Sequence, residues 1–165
     1  MRDPYNEDLK RNAANFQPLS PLTFLERAAS VFPRHTAIIH GDLRRSYAEF
    51  YARSRQLASA LIQRNVRRGD TVSVMLANTP AMLECHYGVP MCQAVLHAIN
   101  TRLDAAAIAF QLDHAEAKIV IVDREFMPVM QDAMGRAAVK PLLIQYDDPE
   151  YDDPKIDERT LDYDV

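Results

Sequence analysis

The sequence predicts an α/β fold: a mainly parallel sheet with helices on both faces, preceded by a short N-terminal β-hairpin. Two observations carry this. Short, continuous apolar runs, such as Thr71 to Leu76 and Lys118 to Val122, alternate with amphipathic helical segments, the pattern of strands buried on both sides by crossover helices. Near the start, two strand-like runs flank Gly41-Asp42, the dipeptide of a tight turn.

Residues 1–17 are polar and patternless and are expected to form a loosely held, flexible arm. Ser20-Pro21 is a helix start, a capping hydroxyl followed by proline where its missing N–H costs nothing. Leu22, Leu25, Ala29 and Phe32 then recur at helical spacing until Pro33. Thr36 to His40 and Leu43 to Ser46 are the hairpin strands. Ser46-Tyr47-Ala48-Glu49 is a capping box, and the helix it opens places Phe50, Leu57, Ala58, Leu61 and Ile62 on one stripe. Gly69-Asp70 leads into the strand Thr71 to Leu76. Thr79-Pro80 repeats the capped start, for a helix to about Cys92 that Pro90 should kink or end. Ala94 to Ala98 is a short strand and Asn100-Thr101-Arg102 a loop. Asp104 caps Ala105 to about Leu112. Lys118 to Val122 is the next strand, and Asp123 caps a helix carrying Phe126, Val129, Met130 and Met134, expected to stop at Gly135. Pro141 to Gln145 is the last strand. An α/β domain over 18–146 and an acidic surface linker over 147–165 follow from this reading.

Of the 165 residues, 48% are hydrophobic and 25% charged, the balance of a globular chain with its own core. No apolar run approaches the roughly 20 residues that cross a bilayer, and the polar, acidic N-terminus is no secretory signal. The net charge is −4. Nine acids in 147–165 stand against Lys155 and Arg159, so the body is only mildly basic and offers no electrostatic case for nucleic acid. Cys85 and Cys92 sit seven apart on one expected helix, about 10 Å along its axis, too far for a disulfide. Free thiols and a cytoplasmic, reducing compartment are expected.

A doubly wound sheet invites a phosphate-binding reading, but a phosphate-cradling loop needs clustered glycines. The four present, Gly41, Gly69, Gly88 and Gly135, are at least nineteen residues apart. Glu84-Cys85-His86 with Cys92 and His97 lacks paired metal-ligand spacing. Cys85 and His86 point about 100° apart on a helix, which also argues against a nucleophile–base pair. Arg64, Arg67 and Arg68 suit a helix C-terminus, and neither they nor Arg44-Arg45 are interleaved with base-stacking aromatics. Asp113-His114-x-Glu116 reads as a solvated helix end, and Met127, Met130 and Met134 as core. The residues therefore supply a scaffold, with no catalytic, cofactor-binding or metal-binding residue assigned.

Several spaced motifs exceed these generalities. Pro18-Leu19-Ser20-Pro21-Leu22-Thr23-Phe24-Leu25-Glu26-Arg27-Ala28 resembles the opening of plant and bacterial acyl-activating enzymes. Arg45-Ser46-Tyr47-Ala48-Glu49-Phe50 resembles the first core motif of the adenylate-forming superfamily, with Arg45 where an aromatic or aliphatic residue is usual. Gly69 to Pro80 resembles the strand and helix start that follow. Glu84 to Leu103 is similar to the second core motif of acyl-CoA synthetases, with Gln93 where glycine is usual, a departure that bears on local helix–strand packing. The resemblance covers about residues 17 to 126, its motifs in the family's order.

The resemblance implies the N-terminal part of an AMP-forming acyl-CoA synthetase. The parent would use ATP, Mg2+ and coenzyme A to convert a carboxylic acid to its thioester through an acyl-adenylate, releasing pyrophosphate and AMP, in fatty acid metabolism. The family's phosphate loop, ribose-binding acid, hinge and adenylation lysine have no counterpart among these motifs, and Lys10, Lys118, Lys140 and Lys155 match none of them. The chain alone is expected to be inactive, and helix 79–92 and the Asn100 to Leu103 loop to approach the acyl pocket of a full enzyme. Self-association through apolar surface left exposed is also expected. Two other readings stay open: a short non-catalytic domain that binds a partner, and an independent small-molecule-binding α/β protein.

Overall fold

The computed structural model describes residues 11–17, 19–151 and 161–163. In chain order the elements are α1 (Pro21–Val31), β1 (Thr36–His40), β2 (Leu43–Ser46), α2 (Tyr47–Gln63), β3 (Thr71–Met75), α3 (Pro80–Met91), β4 (Val95–Ala98), α4 (Ala105–His114), β5 (Ala117–Asp123), α5 (Met127–Arg136), β6 (Leu142–Tyr146) and β7 (Leu161–Asp162). A 3-10 turn, Arg124–Phe126, joins β5 to α5.

β1 and β2 form an antiparallel pair. The other five strands form one parallel sheet in the order β4-β3-β5-β6-β7. The chain moves one way from β3 to β4 through α3, then reverses across β3 to β5 through α4. Right-handed crossovers put connections of opposite direction on opposite faces. Accordingly α2 and α3 pack with Val72, Val74, Ile119, Ile121 and Ile144 on one face. On the other, α4 and α5 pack with Met75, Val120 and Val122. Leu25, Ile38 and Phe50 join α1, the hairpin and α2 in a third, smaller core.

The local signals act as read. Ser20 Oγ accepts from Leu22 N–H, the capping box of Ser46 and Glu49 is complete, and Thr79 and Asp104 cap α3 and α4. Pro90 lies in the last turn of α3, which ends at Met91. Three details differ from expectation. Ile62 is 56% exposed, because the core stripe of α2 runs through Phe50, Ser54, Leu57, Ala58 and Leu61, and Ile62 lies about 100° further round. Asp123 caps the 3-10 turn by accepting from Glu125 N–H, not an α-helix. Gly135 does not stop α5, which runs to Arg136 before Ala137 turns extended; Lys140 Nζ donates to the Met134 and Ala137 carbonyls there.

The acidic segment is the main correction. The sequence predicts a surface linker apart from the core, yet Leu161 and Asp162 pair in parallel with Ile144 and Gln145. Tyr163 packs against the core of the α2–α3 face. Two acids at its start are held as well, Asp147 by Arg124 and Asp148 by His40. Residues 152–160, and residues 1–10 of the expected arm, lie outside the described residues. Residues 12–15 of that arm form a turn in which Asn12 Oδ1 accepts from Ala14 N–H at 2.9 Å and Asn15 Oδ1 from Asn12 N–H at 2.9 Å.

Candidate functional site

Open α/β sheets bind ligands outside the carboxyl ends of their strands, where the crossovers diverge. Here that crevice opens beyond β3, β5 and β6. The hairpin overhangs it, leaving a cleft of about 370 Å3 between β1 and the start of α3. Ile38, Ile39 and His40 line one wall; Asn78, Thr79 and His86 line the other. The α3 wall starts from a capped helix end, where Thr79 Oγ1 accepts from Met82 N–H at 3.4 Å and Pro80 opens the helix. His86 Nδ1 lies 2.9 Å from the Met82 carbonyl oxygen, so its ring is tied to its own helix.

Beside the cleft, the ends of β5 and β6 bring acids together. His40 Nε2 lies 2.7 Å from Asp148 Oδ1, clasping the hairpin to the sheet. Arg124 Nε lies 3.3 Å from Asp147 Oδ1, and Arg124 Nη2 donates to the Tyr151 carbonyl at 3.0 Å. Asp123 is 1% exposed. Burial pushes its carboxyl up to about 6; the N–H of Glu125 opposes this, and Asp148, Glu125 and Asp147 add to it.

A second polar center lies inside the α2–α3 face. The Glu84 side chain is 1% exposed and accepts from Arg45 Nη1, from Arg53 Nε at 2.7 Å and from Tyr163 Oη at 2.9 Å. A carboxylate can be buried when charged donors surround it, and this one ties the hairpin, α2, α3 and the segment after β7 to a single point. Arg45, the residue that departs from the family motif, is one of those donors. Next to it, burial first and then the Glu84 charge push the Cys85 thiol well above the usual thiol range, which leaves it inert. The Tyr163 hydroxyl is raised chiefly by burial, then by Cys85 and Glu84.

The other singled-out residues take structural places. Cys92 is buried, its Sγ donating to the Val89 carbonyl at 3.1 Å. His97 Nδ1 lies 2.9 Å from Ser73 Oγ, and burial lowers its pKa against a hydrogen bond with Gln111. Arg64 Nη1 donates to the Ala60 carbonyl. Asp70 Oδ2 accepts from Arg67 N–H and Lys118 Nζ, both at 2.7 Å, at the end of the sheet opposite the crevice. Arg44 Nη1 donates to the Leu43 carbonyl in the hairpin. Asp113 accepts from the N–H groups of Ala138 and Val139, which lower its pKa. Met127 and Met130 are buried, and Met134 packs against the same core. Gln93 has φ +63°: the turn from α3 into β4 passes through the left-handed region, where glycine carries no steric penalty. Sequence reasoning missed Glu84 as a hub, the His40–Asp148 clasp and buried Asp123. The only signal for any of them was an arginine in place of an apolar residue at position 45.

These residues do not fit a magnesium triphosphate. Aspartates line the ends of β5 and β6, no glycine cluster lets backbone N–H groups converge, and no group of three metal-ligating side chains occurs among the described residues. The crevice supplies walls and not phosphate-binding groups.

Fold and crevice together define a doubly wound α/β scaffold, with the carboxyl edge of its parallel sheet framed by a hairpin. The model of the AMP-binding enzyme family matches residues 25–164. The chain belongs to that family, and corresponds to an N-terminal portion of AMP-forming acyl-CoA synthetases. It is 42% identical over 149 residues to a peroxisomal acetate/butyrate–CoA ligase of Arabidopsis thaliana, covering 86% of this chain and 26% of that one. It is 46% identical over 128 residues to a peroxisomal benzoate–CoA ligase of the same plant, covering 78% and 22%. Among solved structures, the fatty acyl CoA synthetase of Mycobacterium tuberculosis superposes with a TM-score of 0.70 at 27% identity, covering 76% of this chain and 26% of that one. The chain thus spans about a quarter of the length of these relatives.

Proposed function

We propose that the chain is the N-terminal scaffold of an ATP-dependent, AMP-forming acyl-CoA synthetase, and that these residues by themselves do not catalyze ligation. The observation that carries this is the family match over residues 25–164 in a chain that spans about a quarter of the length of its relatives and whose glycines are at least nineteen residues apart. In the full reaction a carboxylate attacks ATP to give an acyl-adenylate and pyrophosphate, and a coenzyme A thiolate then displaces AMP to form the thioester. This route makes chemical sense because carboxylate oxygen is a poor leaving group and AMP a good one. The chain's own part is to hold the cleft between β1 and α3 rigid, through the Thr79 cap, the Glu84 hub and the His40–Asp148 clasp, as one wall of the acid-binding side. The acid class is carried by whatever segments face that wall; the relatives named above are ligases for acetate, butyrate and benzoate.

An ATP–pyrophosphate exchange assay across short aliphatic, long aliphatic and aromatic acids tests the reading. The chain alone is expected to give no exchange. Fused in place of the matching quarter of the acetate/butyrate–CoA ligase, it is expected to support acid-dependent exchange. Exchange by the chain alone would overturn the scaffold reading, and a well-folded but inert fusion would favor a separate partner-binding domain. Cytoplasmic residence is part of the proposal, supported by two buried free thiols. A fluorescent fusion that collects in peroxisomes, where the two plant relatives are named as residing, would correct it.

A further inference from the structure

We infer that the tip of the hairpin, residues 39–44, is a gate on the cleft, and that the His40–Asp148 pair is its latch. As a gate for the acid, it rests on the reading of this cleft as one wall of the acid-binding side. The hairpin is a two-stranded sheet of its own, separate from the five-stranded sheet it overhangs. Its base is fixed. Ile38 is 7% exposed in the third core, and Arg45 donates to buried Glu84. The N–H groups of Tyr47 and Ala48 donate to the His35 and Pro33 carbonyls at 3.0 and 3.1 Å.

Beyond that base the tip is held differently. Its strands pair only with each other, Ile39 with Arg44 and His40 with Leu43. Arg44 Nη1 donates within the tip as well, to the Gly41 and Leu43 carbonyls at 2.6 and 2.9 Å. None of residues 39–44 is buried, and of these Leu43 leans on the third core. Among the described residues, the one hydrogen bond from the tip to the rest of the molecule joins His40 Nε2 to Asp148 Oδ1. The Glu150 carboxylate lies against Gly41, in the place a side chain there would take, so the same short segment also abuts the turn.

The other half of the latch is anchored. Asp148 Oδ1 also accepts from Glu150 N–H at 3.1 Å, and the Asp148 carbonyl accepts from Tyr151 N–H at 3.0 Å. Arg124, which follows β5, holds the Tyr151 carbonyl in turn. Release of the pair therefore frees the tip and leaves the sheet in place. Ile39 and His40 line the cleft opposite Asn78, Thr79 and His86, so a tip that swings out widens the mouth while Ile38 and Arg45 stay put. That wall is rigid only while the latch is closed. Local openings belong to segments with few buried contacts. The side chains of the pair, 20% and 11% exposed, make a latch stronger than a surface ion pair and weaker than a fully buried one.

Native-state hydrogen exchange of the whole chain tests this. The amides at positions 40 and 43, the pair that closes the turn, are expected to exchange through a local opening insensitive to low urea, because it exposes little surface. Buried Val74 and Ile121 are expected to exchange only through global unfolding. His40→Ala and Asp148→Asn should each speed exchange at 40 and 43 about tenfold, and the double variant no more than either alone. Gly88→Ala, at the α2–α3 contact, destabilizes the latched and unlatched states alike, so it should speed Val74 and Ile121 and leave 40 and 43 unchanged. For the cleft itself, Met82→Cys puts a thiol on the α3 wall, while the native Cys85 and Cys92 are buried. A small thiol reagent should label it about tenfold faster in the latch variants and no faster in Gly88→Ala. Amides at 40 and 43 that are unprotected, or that follow the core in Gly88→Ala, would overturn the gate, as would faster exchange there with unchanged labeling. Neither readout contains an acid, so the gate can fail while the scaffold reading stands, and an inert ligase fusion would leave the gate intact.

Discussion

Replacing Asp123 with asparagine should stabilize the protein at neutral pH and do almost nothing in acid. Asp123 ends β5, and its carboxyl is lifted from the usual 3.8 to about 6, mainly by burial, with Asp148, Glu125 and Asp147 adding to it. A folded state that binds the proton more tightly than the unfolded chain is favored while both are protonated, below about 3.8. That advantage drains as pH rises to about 6 and is gone above it. Each tenfold change in proton affinity corresponds to about 1.4 kcal/mol, so the charged side chain costs the fold about 3 kcal/mol at pH 7.5, as an upper figure. Asparagine carries no charge, keeps an oxygen to accept from Glu125 N–H, and has nearly the same shape. Urea unfolding of both proteins at pH 4 and pH 7.5 should show a stability difference near zero at the first and about 2–3 kcal/mol in favor of the variant at the second. Comparing the two proteins at each pH cancels the titrations that are independent of Asp123, such as that of His97. An equal difference at both pH values, or a destabilized variant at pH 7.5, would refute the account of Asp123 as a buried, crowded carboxylate.

Gln93→Gly should stabilize by about 0.5–1 kcal/mol, the relief of a left-handed side chain set against the greater freedom of glycine in the unfolded chain. Gln93→Ala should not, and a thermal melt in which alanine matches glycine would contradict the backbone explanation. Glu84→Gln leaves two guanidiniums without their carboxylate and should cost about 3 kcal/mol in urea, at the lower end of the range because Arg45 and Arg53 are 19% and 28% exposed; a loss under about 1 kcal/mol would mean water already satisfies them. Gly88→Ala places a methyl 2.8 Å from Leu57 Cδ2 and 2.9 Å from the Ser54 carbonyl. It should destabilize by about 2 kcal/mol despite alanine's better helix propensity, and a neutral result in the same melt would show that α2 and α3 can part without cost.

The local code of this chain was readable residue by residue. Ser20-Pro21, the box from Ser46 to Glu49, Thr79-Pro80 and Asp104 each act over a few residues through a hydroxyl or carboxylate meeting the next N–H groups. Helix starts and the alternation of strand and helix therefore follow from sequence alone. So does the parallel, doubly covered sheet, because strands apolar on both sides have no other stable place. What only the tertiary structure decided joins residues far apart in the chain. Glu84 meets Arg45, Arg53 and Tyr163, His40 meets Asp148, and Leu161-Asp162 returns to the sheet from a stretch whose acids read as a linker. Charge counts along a sequence register repulsion between neighbors, whereas the neutralizing partners arrive from other elements once the chain has folded. The same distinction explains Gln93. Its identity could be read as a departure from glycine, but the positive φ that makes glycine fit there exists only where α3 ends and the chain turns into β4.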